Sequence, residues 1–124
     1  MKVAVTSQGP DLESQVDPRF GRAPCFVVVD TATGAVAVRH NSLNRRTSHT
    51  AGMQAAGALI ALDAAAVITG SIGPKAFGTL RAANVSVYTV PSGSVGEAVE
   101  KFQAGELEPL VEANAKEHSE QTCR

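Results

Sequence analysis

The chain has 124 residues, 44% hydrophobic and 19% charged, which is enough apolar material for the core of one domain and too little chain for two. Eleven Lys and Arg against twelve Asp and Glu leave a net charge of −1, without the basic excess of a general nucleic-acid binder. No run reaches the roughly eighteen apolar residues of a membrane span, and residues 1–11 (MKVAVTSQGPD) lack a signal peptide's apolar stretch and cleavage site, so the expectation is a cytoplasmic domain.

Residues 2–6 (KVAVT) alternate and are β-branched, the pattern of a strand. A loop with Gly9, Pro10 and Asp11 follows, and residues 16–21 (VDPRFG) read as a structured turn. Residues 25–30 (CFVVVD) form a near-continuous apolar run, as in a strand buried on both faces. A hairpin over 30–34 leads to the partner strand 35–39 (AVAVR), completing a three-stranded antiparallel meander. Then the period changes. After a polar loop, the Ala-rich residues 49–62 predict a helix with Thr47 or Ser48 as N-cap. Residues 66–69 (AVIT) predict a short buried strand, and Pro74 opens a helix over 74–83. Residues 86–90 (SVYTV) are the last strand. Residues 94–104 are a third helix with Val95, Ala98, Val99 and Phe102 on one face. Residues 1–110 are thus read as the domain and 111–124 as a polar, flexible tail.

The order βββαβαβα calls for right-handed crossovers in its second half. The expected architecture is α/β and ribonuclease H-like, a mixed five-stranded sheet in the order 3-2-1-4-5 with helices on its faces. Ligands of open α/β sheets gather where the strand order reverses. Here that point is bordered by the loop after Thr6 and by residues 70–74.

Three segments could carry chemistry there. In TGSIGPK (69–75), two glycines and a helix start could present backbone N–H groups to an anion. The pattern is neither GxxxxGK[ST] nor GxGxxG, and on the pattern alone a plain strand-to-helix turn is the better reading. In NSLNRRTSHTAG (41–52), a polar loop carries two arginines and brings His49 to a helix start. The helix dipole there favours the neutral imidazole that can ligate a metal. In DPRFGR (17–22), two arginines flank a turn, and Asp17 and Arg19 could equally satisfy each other and the local backbone. Basic charge is concentrated early. Residues 1–81 hold eight Lys and Arg against five Asp and Glu, whereas 82–124 hold three against seven.

Two cysteines, Cys25 and Cys123, cannot build a disulfide framework or a four-thiolate metal site. Cys25 reads as a small apolar strand residue, and Cys123, near His118, as an incidental thiol. The first strand ends without an Asp, and Asp30 and Asp63 fall at the far ends of their elements. The converging carboxylates of a two-metal nuclease are therefore missing. No Ser/His/Asp or Cys/His grouping follows from the spacing, and nuclease activity is disfavoured.

VDPRFGRAPCFVVVD, the loop into His49-Thr-Ala-Gly52, AAVITGSIGPKAFGTLRAANVSVYTV and SVGEAVEKFQAGEL together resemble the dinitrogenase iron–molybdenum cofactor biosynthesis family over about residues 1–110. The family includes cofactor carriers of nitrogenase maturation and a protein of sulfate-reducing bacteria that holds a molybdenum–copper sulfide cluster without cysteine ligation. The resemblance implies a non-enzymatic role, the binding, carriage or storage of a preformed molybdenum-containing metal–sulfur cluster of Mo–Cu or Fe–Mo type. Where relatives often show HGAG or GGAG, this chain keeps the His and loses one Gly. The position of Cys25 is often aromatic in relatives, and no ligand role is carried to it.

A thiometallate cluster is a bulky soft anion whose metals are already saturated with sulfide. Its carrier needs positive potential, N–H donors and an apolar wall rather than thiolates. Arg19, Arg22, Arg45 and Arg46 are the expected source of potential, and Gly70, Ser71, Ile72 and Gly73 of the amides. Ile72 and Met53 would add apolar surface, and His49 is the single candidate metal ligand. The alternative is a protein-interaction module that regulates a partner such as an ATPase with no cluster bound. A nucleic-acid hydrolase ranks third, and the chain is expected to be monomeric.

Overall fold

The computed structural model describes residues 1–41 and 51–114. The expected N-caps Thr47 and Ser48, and His118 and Cys123 of the tail, lie outside the described residues. The elements are β1 (Lys2–Ser7), β2 (Cys25–Asp30), β3 (Val36–His40), α1 (Ala51–Ala61), β4 (Ala64–Thr69), α2 (Pro74–Ala82), β5 (Ser86–Thr89) and α3 (Val95–Gln103). They form one five-stranded sheet in the order β3-β2-β1-β4-β5. β2 runs antiparallel to both β1 and β3, and β4 runs parallel to both β1 and β5. The meander and the alternating half join as the sequence pattern implies.

Two strand starts differ from expectation for local reasons. β4 begins at Ala64 rather than Ala66, because Asp63 adopts a left-handed conformation (φ 63°) that reverses the chain at once, and Ala64 already pairs with Lys2. β3 begins one residue late because the Ala35 carbonyl is held in the hairpin, accepting from the Asp30 N–H at 2.9 Å. Gly34, at φ 81°, supplies the left-handed residue this turn needs.

Strand alternation sorts the side chains into two layers. Ala4, Phe26, Val28, Val67 and Val87 pack under α1 and α2 with Leu59, Phe77 and Leu80. Val3, Val5, Val27, Val29 and Ile68 pack under α3 with Val95 and Val99. Each fully buried aliphatic or aromatic side chain contributes about 1.5–3 kcal/mol by leaving water. Gly52 lets α1 approach α2 closely, since a Cβ there would lie 3.2 Å from Ala76 Cβ. Helix α3 starts with a capping box: the Ser94 hydroxyl accepts from the Glu97 N–H, and the Glu97 carboxylate accepts from the Ser94 N–H.

After α3 the chain returns along β5, where the Leu110 N–H donates to the Val87 carbonyl at 2.7 Å. Beyond residue 110, Arg81 Nη1 donates to the Val111 carbonyl at 2.7 Å, and Asn114 bonds to the loop after β4. Residues 111–114 are thus held against the body. Among the described residues, no helix is long and apolar enough to cross a membrane.

Candidate functional site

Parallel pairing of β1 and β4 brings their C-terminal ends side by side at the point where the strand order reverses. Each carries a buried threonine hydroxyl there, Thr6 next to the last residue of β1 and Thr69 at the end of β4. The Thr6 hydroxyl donates to the Asp17 carbonyl at 2.7 Å and lies 3.0 Å from Thr69 Oγ1. The Asp17 N–H donates back to the Thr6 carbonyl at 2.9 Å. A buried hydroxyl left unpaired costs about 1–3 kcal/mol, so these reciprocal bonds fix where the chain turns back toward the sheet.

That return joins two of the segments singled out above. Arg19 and Ser71 form an isolated parallel bridge. The Ser71 N–H and hydroxyl both donate to the Pro18 carbonyl, at 2.7 and 2.8 Å, and the Phe20 N–H donates to the Ser71 carbonyl at 3.1 Å. Gly70 permits this approach, because a Cβ there would sit 2.6 Å from Pro18 Cα. Phe20, 2% exposed, drops into the core beside Phe26 with ring centroids 5.7 Å apart. Asn41, also buried, donates through Nδ2 to the carbonyls of Ala23 (2.9 Å) and Gly21 (3.3 Å), pinning the far side of the same turn.

Electrostatically the two arginines of this turn are unequal. The Asp17 carboxylate, 1% exposed, accepts from the Arg19 backbone N–H at 2.8 Å and from its Nε at 3.3 Å. The local Asp17–Arg19 pairing is therefore present, and the carboxylate offsets much of the Arg19 charge. Arg22 is exposed, and no carboxylate among the described residues lies within salt-bridge distance of it.

The loop after β4 has fewer donors to give than its sequence suggests. The Ser71 N–H is taken by Pro18, and the Ile72 N–H donates to Asn114 Oδ1 at 2.8 Å, while Asn114 Nδ2 donates to the Gly70 carbonyl at 3.0 Å. The Ile72 side chain, expected as an apolar wall, is 1% exposed and belongs to the core under α1 and α2. Gly73 is the N-cap of α2 with no side-chain cap of its own. Met53, on α1, is 43% exposed. Arg45, Arg46 and His49 lie outside the described residues. Replacing Asn114 by Ala should cost about 1–2 kcal/mol and speed deuterium exchange of the Ile72 amide, both measurable on the purified chain.

Sequence reading missed Asn114 and the Thr6–Thr69 contact. Thr6 and Thr69 had a signal, a polar residue closing each apolar run. Asn114 had none, standing 42 residues from its partner.

Two cavities of about 500 Å³ open elsewhere. One runs along β3, lined by Lys2, Val28, Asp30, Arg39 and Leu62 among others, and takes no residue from the two joined loops. The other, beside α3, carries Glu97, Glu100 and Glu106 against Lys101, an unfavourable setting for an anion. Among the described residues, no group of three or more His, Cys, Asp or Glu could hold a metal ion.

The fold and site define a small α/β protein in which an arginine-bearing turn and a glycine-containing loop are laced together at the switch point of a mixed sheet. The profile of the dinitrogenase iron-molybdenum cofactor family matches residues 1–105, and the chain belongs to that family. Among solved structures, the apo form of the orange protein from Desulfovibrio gigas is 42% identical, with a TM-score of 0.89 over 92% of this chain and 96% of its own. A DUF35-family protein from Thermotoga is 37% identical, with a TM-score of 0.79 over 92% and 97%. An uncharacterised protein of Methanocaldococcus jannaschii is 28% identical over 110 residues, 87% of this chain and 90% of its own.

Proposed function

We propose that this protein binds and carries a preformed, anionic, molybdenum-containing metal–sulfur cluster, held non-covalently at the sheet's switch point. The observation that carries the reading is the Arg19–Ser71 bridge, which puts the arginine turn and the glycine loop on one rim. Family membership and likeness to the orange protein support the same reading. So does the sheet order, which suits a ribonuclease H-like fold.

In this reading the cluster is cargo, and its metals keep their own sulfides. The protein supplies charge-assisted N–H donors, which are the stronger class of hydrogen bond, and Arg22 is the principal one because Asp17 does not neutralise it. Arg19 serves mainly to order the turn through Asp17. Arg45, Arg46 and His49 are assigned to the same rim on sequence grounds, His49 as the one candidate ligand, with Met53 as exposed apolar surface nearby. The Gly70–Ser71–Ile72 stretch shapes the rim more than it donates to it.

The test is reconstitution. Apo protein mixed with tetrathiomolybdate and copper should retain a visible chromophore after desalting, and rising salt should weaken it as charge is screened. Arg22→Ala should lower loading several-fold, about 1 kcal/mol, and more than Arg19→Ala does. Absence of a retained chromophore would overturn the proposal.

A further inference from the structure

The sheet has two edges, and they are finished differently. Beyond β5 the returning chain closes one: Tyr88 and Pro109 form an antiparallel bridge, and the Leu110 N–H donates to the Val87 carbonyl. β3 is the other edge. Its register with β2 runs unbroken from Val36 to His40, it holds no proline, and Arg39 is its one permanent charge. Most of the devices that blunt an edge strand are therefore missing from it. Val36 is 44% exposed, and Ala37, Arg39 and His40 are exposed as well.

Hydrogen-bond parity fixes which backbone groups face outward. The Asp30 N–H donates to the Ala35 carbonyl and the Asn41 N–H to the Pro24 carbonyl, both at 2.9 Å. Along an antiparallel pair, hydrogen-bonded and non-hydrogen-bonded residue pairs alternate. Ala37 and Arg39 therefore bond inward to Val28 and Phe26, and Val36, Val38 and His40 turn their N–H and C=O groups away from β2. The same alternation puts the Val36 and Val38 side chains on the α3 side of the sheet with Val27 and Val29. Those of Ala35, Ala37 and Arg39 lie on the other side, along the groove beside β3.

We propose that β3 pairs antiparallel with β3 of a second copy of this chain, about a two-fold axis through Val38, joining two sheets into one. The contact is self-complementary, as an isologous interface must be. Val38 meets Val38 and Val36 meets His40, and in each pair both residues have their backbone groups facing outward, so all three find partners. An axis between residues would set outward groups against inward ones, and an axis at Arg39 would put two arginines face to face. Charge agrees with the Val38 axis. Arg39 of the partner subunit falls opposite Ala37, over a floor of Ala35, Ala37 and Val28 low enough to admit a long side chain. Asp30 lines the same groove, its side chain 31% exposed. The two arginines lie diagonally across the axis and repel, which turns each toward the other copy's Asp30. One five-residue strand per copy is a small contact, at the low end of specific interfaces, so the association is reversible and depends on concentration. It leaves both switch-point rims open at opposite ends of the joined sheet and stands or falls separately from the carrier reading.

The experiment is sedimentation equilibrium of the full chain in reducing buffer, from about 10 μM to about 1 mM, a range that spans weak interfaces. The average mass should rise from that of one chain toward that of two. Over the same range, deuterium exchange of the Val36, Val38 and His40 amides should slow several-fold, while the Ala37 and Arg39 amides, already bonded to β2, change far less. Val38→Pro removes an outward donor but no bond of the β2–β3 ladder, and should leave a folded monomer. Val38→Lys sets two like charges opposite each other at the axis and should weaken association roughly tenfold or more. It keeps its N–H, so it remains informative if the proline variant fails to fold. A mass that stays at one chain throughout would mean that Arg39 guards the edge rather than joins it. That result would overturn the proposal, as would association that Val38→Lys leaves unchanged or outward amides that exchange at one rate at every concentration.

Discussion

Replacing Phe26 by Ala should destabilise the protein by about 3–5 kcal/mol, the range for a buried aromatic cut back to a methyl. Phe26 is 1% exposed and lies in the layer beneath α1 and α2. Its loss opens a cavity that the neighbouring strands cannot close, and it removes the aromatic partner of Phe20 as well, worth about 0.5–1.5 kcal/mol beyond burial. The damage reaches the site because Phe20 belongs to the arginine turn and donates its N–H to Ser71. In urea titrations the midpoint should fall with an unchanged slope. Phe26→Leu should lose much less, since most of the volume is kept. A loss below about 1 kcal/mol for Phe26→Ala would mean that the ring is not a core residue.

The second large effect belongs to Gly70→Ala. The new Cβ would meet Pro18 Cα at 2.6 Å, its carbonyl oxygen at 2.9 Å and its Cβ at 3.0 Å. Those atoms are backbone or ring base and cannot rotate aside, so turn and loop must separate. The cost should be about 1–3 kcal/mol, a fall of roughly 5–15 °C in Tm, together with reduced retention of the tetrathiomolybdate chromophore. Gly78, in the middle of α2, is the control. A Cβ there meets nothing within 4 Å, and Gly78→Ala should stabilise by about 0.5–1 kcal/mol as a helix former replaces glycine. Opposite signs for the same chemical change, measured by thermal unfolding, would isolate the steric contact at Pro18. Equal small effects would dissolve it.

What could be read in advance was what neighbours along the chain decide. CFVVVD declared a buried strand, Pro74 marked a helix start, and the spacing of Val95, Ala98, Val99 and Phe102 marked the last helix, all from local chemistry. The strand order followed as well, because a hairpin-rich half feeding an alternating half leaves few topologies. The site was legible only in pieces. DPRFGR and TGSIGPK each stood out, but their union rests on hydrogen bonds between residues 53 apart. Asn114 taking an amide from the β4 loop required the chain to come back past β5. The contact of Cys25 Sγ with His40 Nδ1, at 3.7 Å, was likewise invisible to spacing, because 15 residues separate the two and only the β2–β3 register sets them opposite each other. Ile72 shows the converse error: in GSIG it looks like a loop residue free to line a pocket, yet the turn directs it inward.

The bond from Asn114 to Gly70 and Ile72 also bears on how the protein can be handled. β1 runs from Lys2, at one end of the sheet, to Ser7 at the other, and the rim gathers at the Ser7 end. A label, tag or surface linkage placed just after Asn114 would therefore stand in the doorway of the rim. One placed ahead of Lys2 would leave that doorway open and is the side from which to tether the molecule.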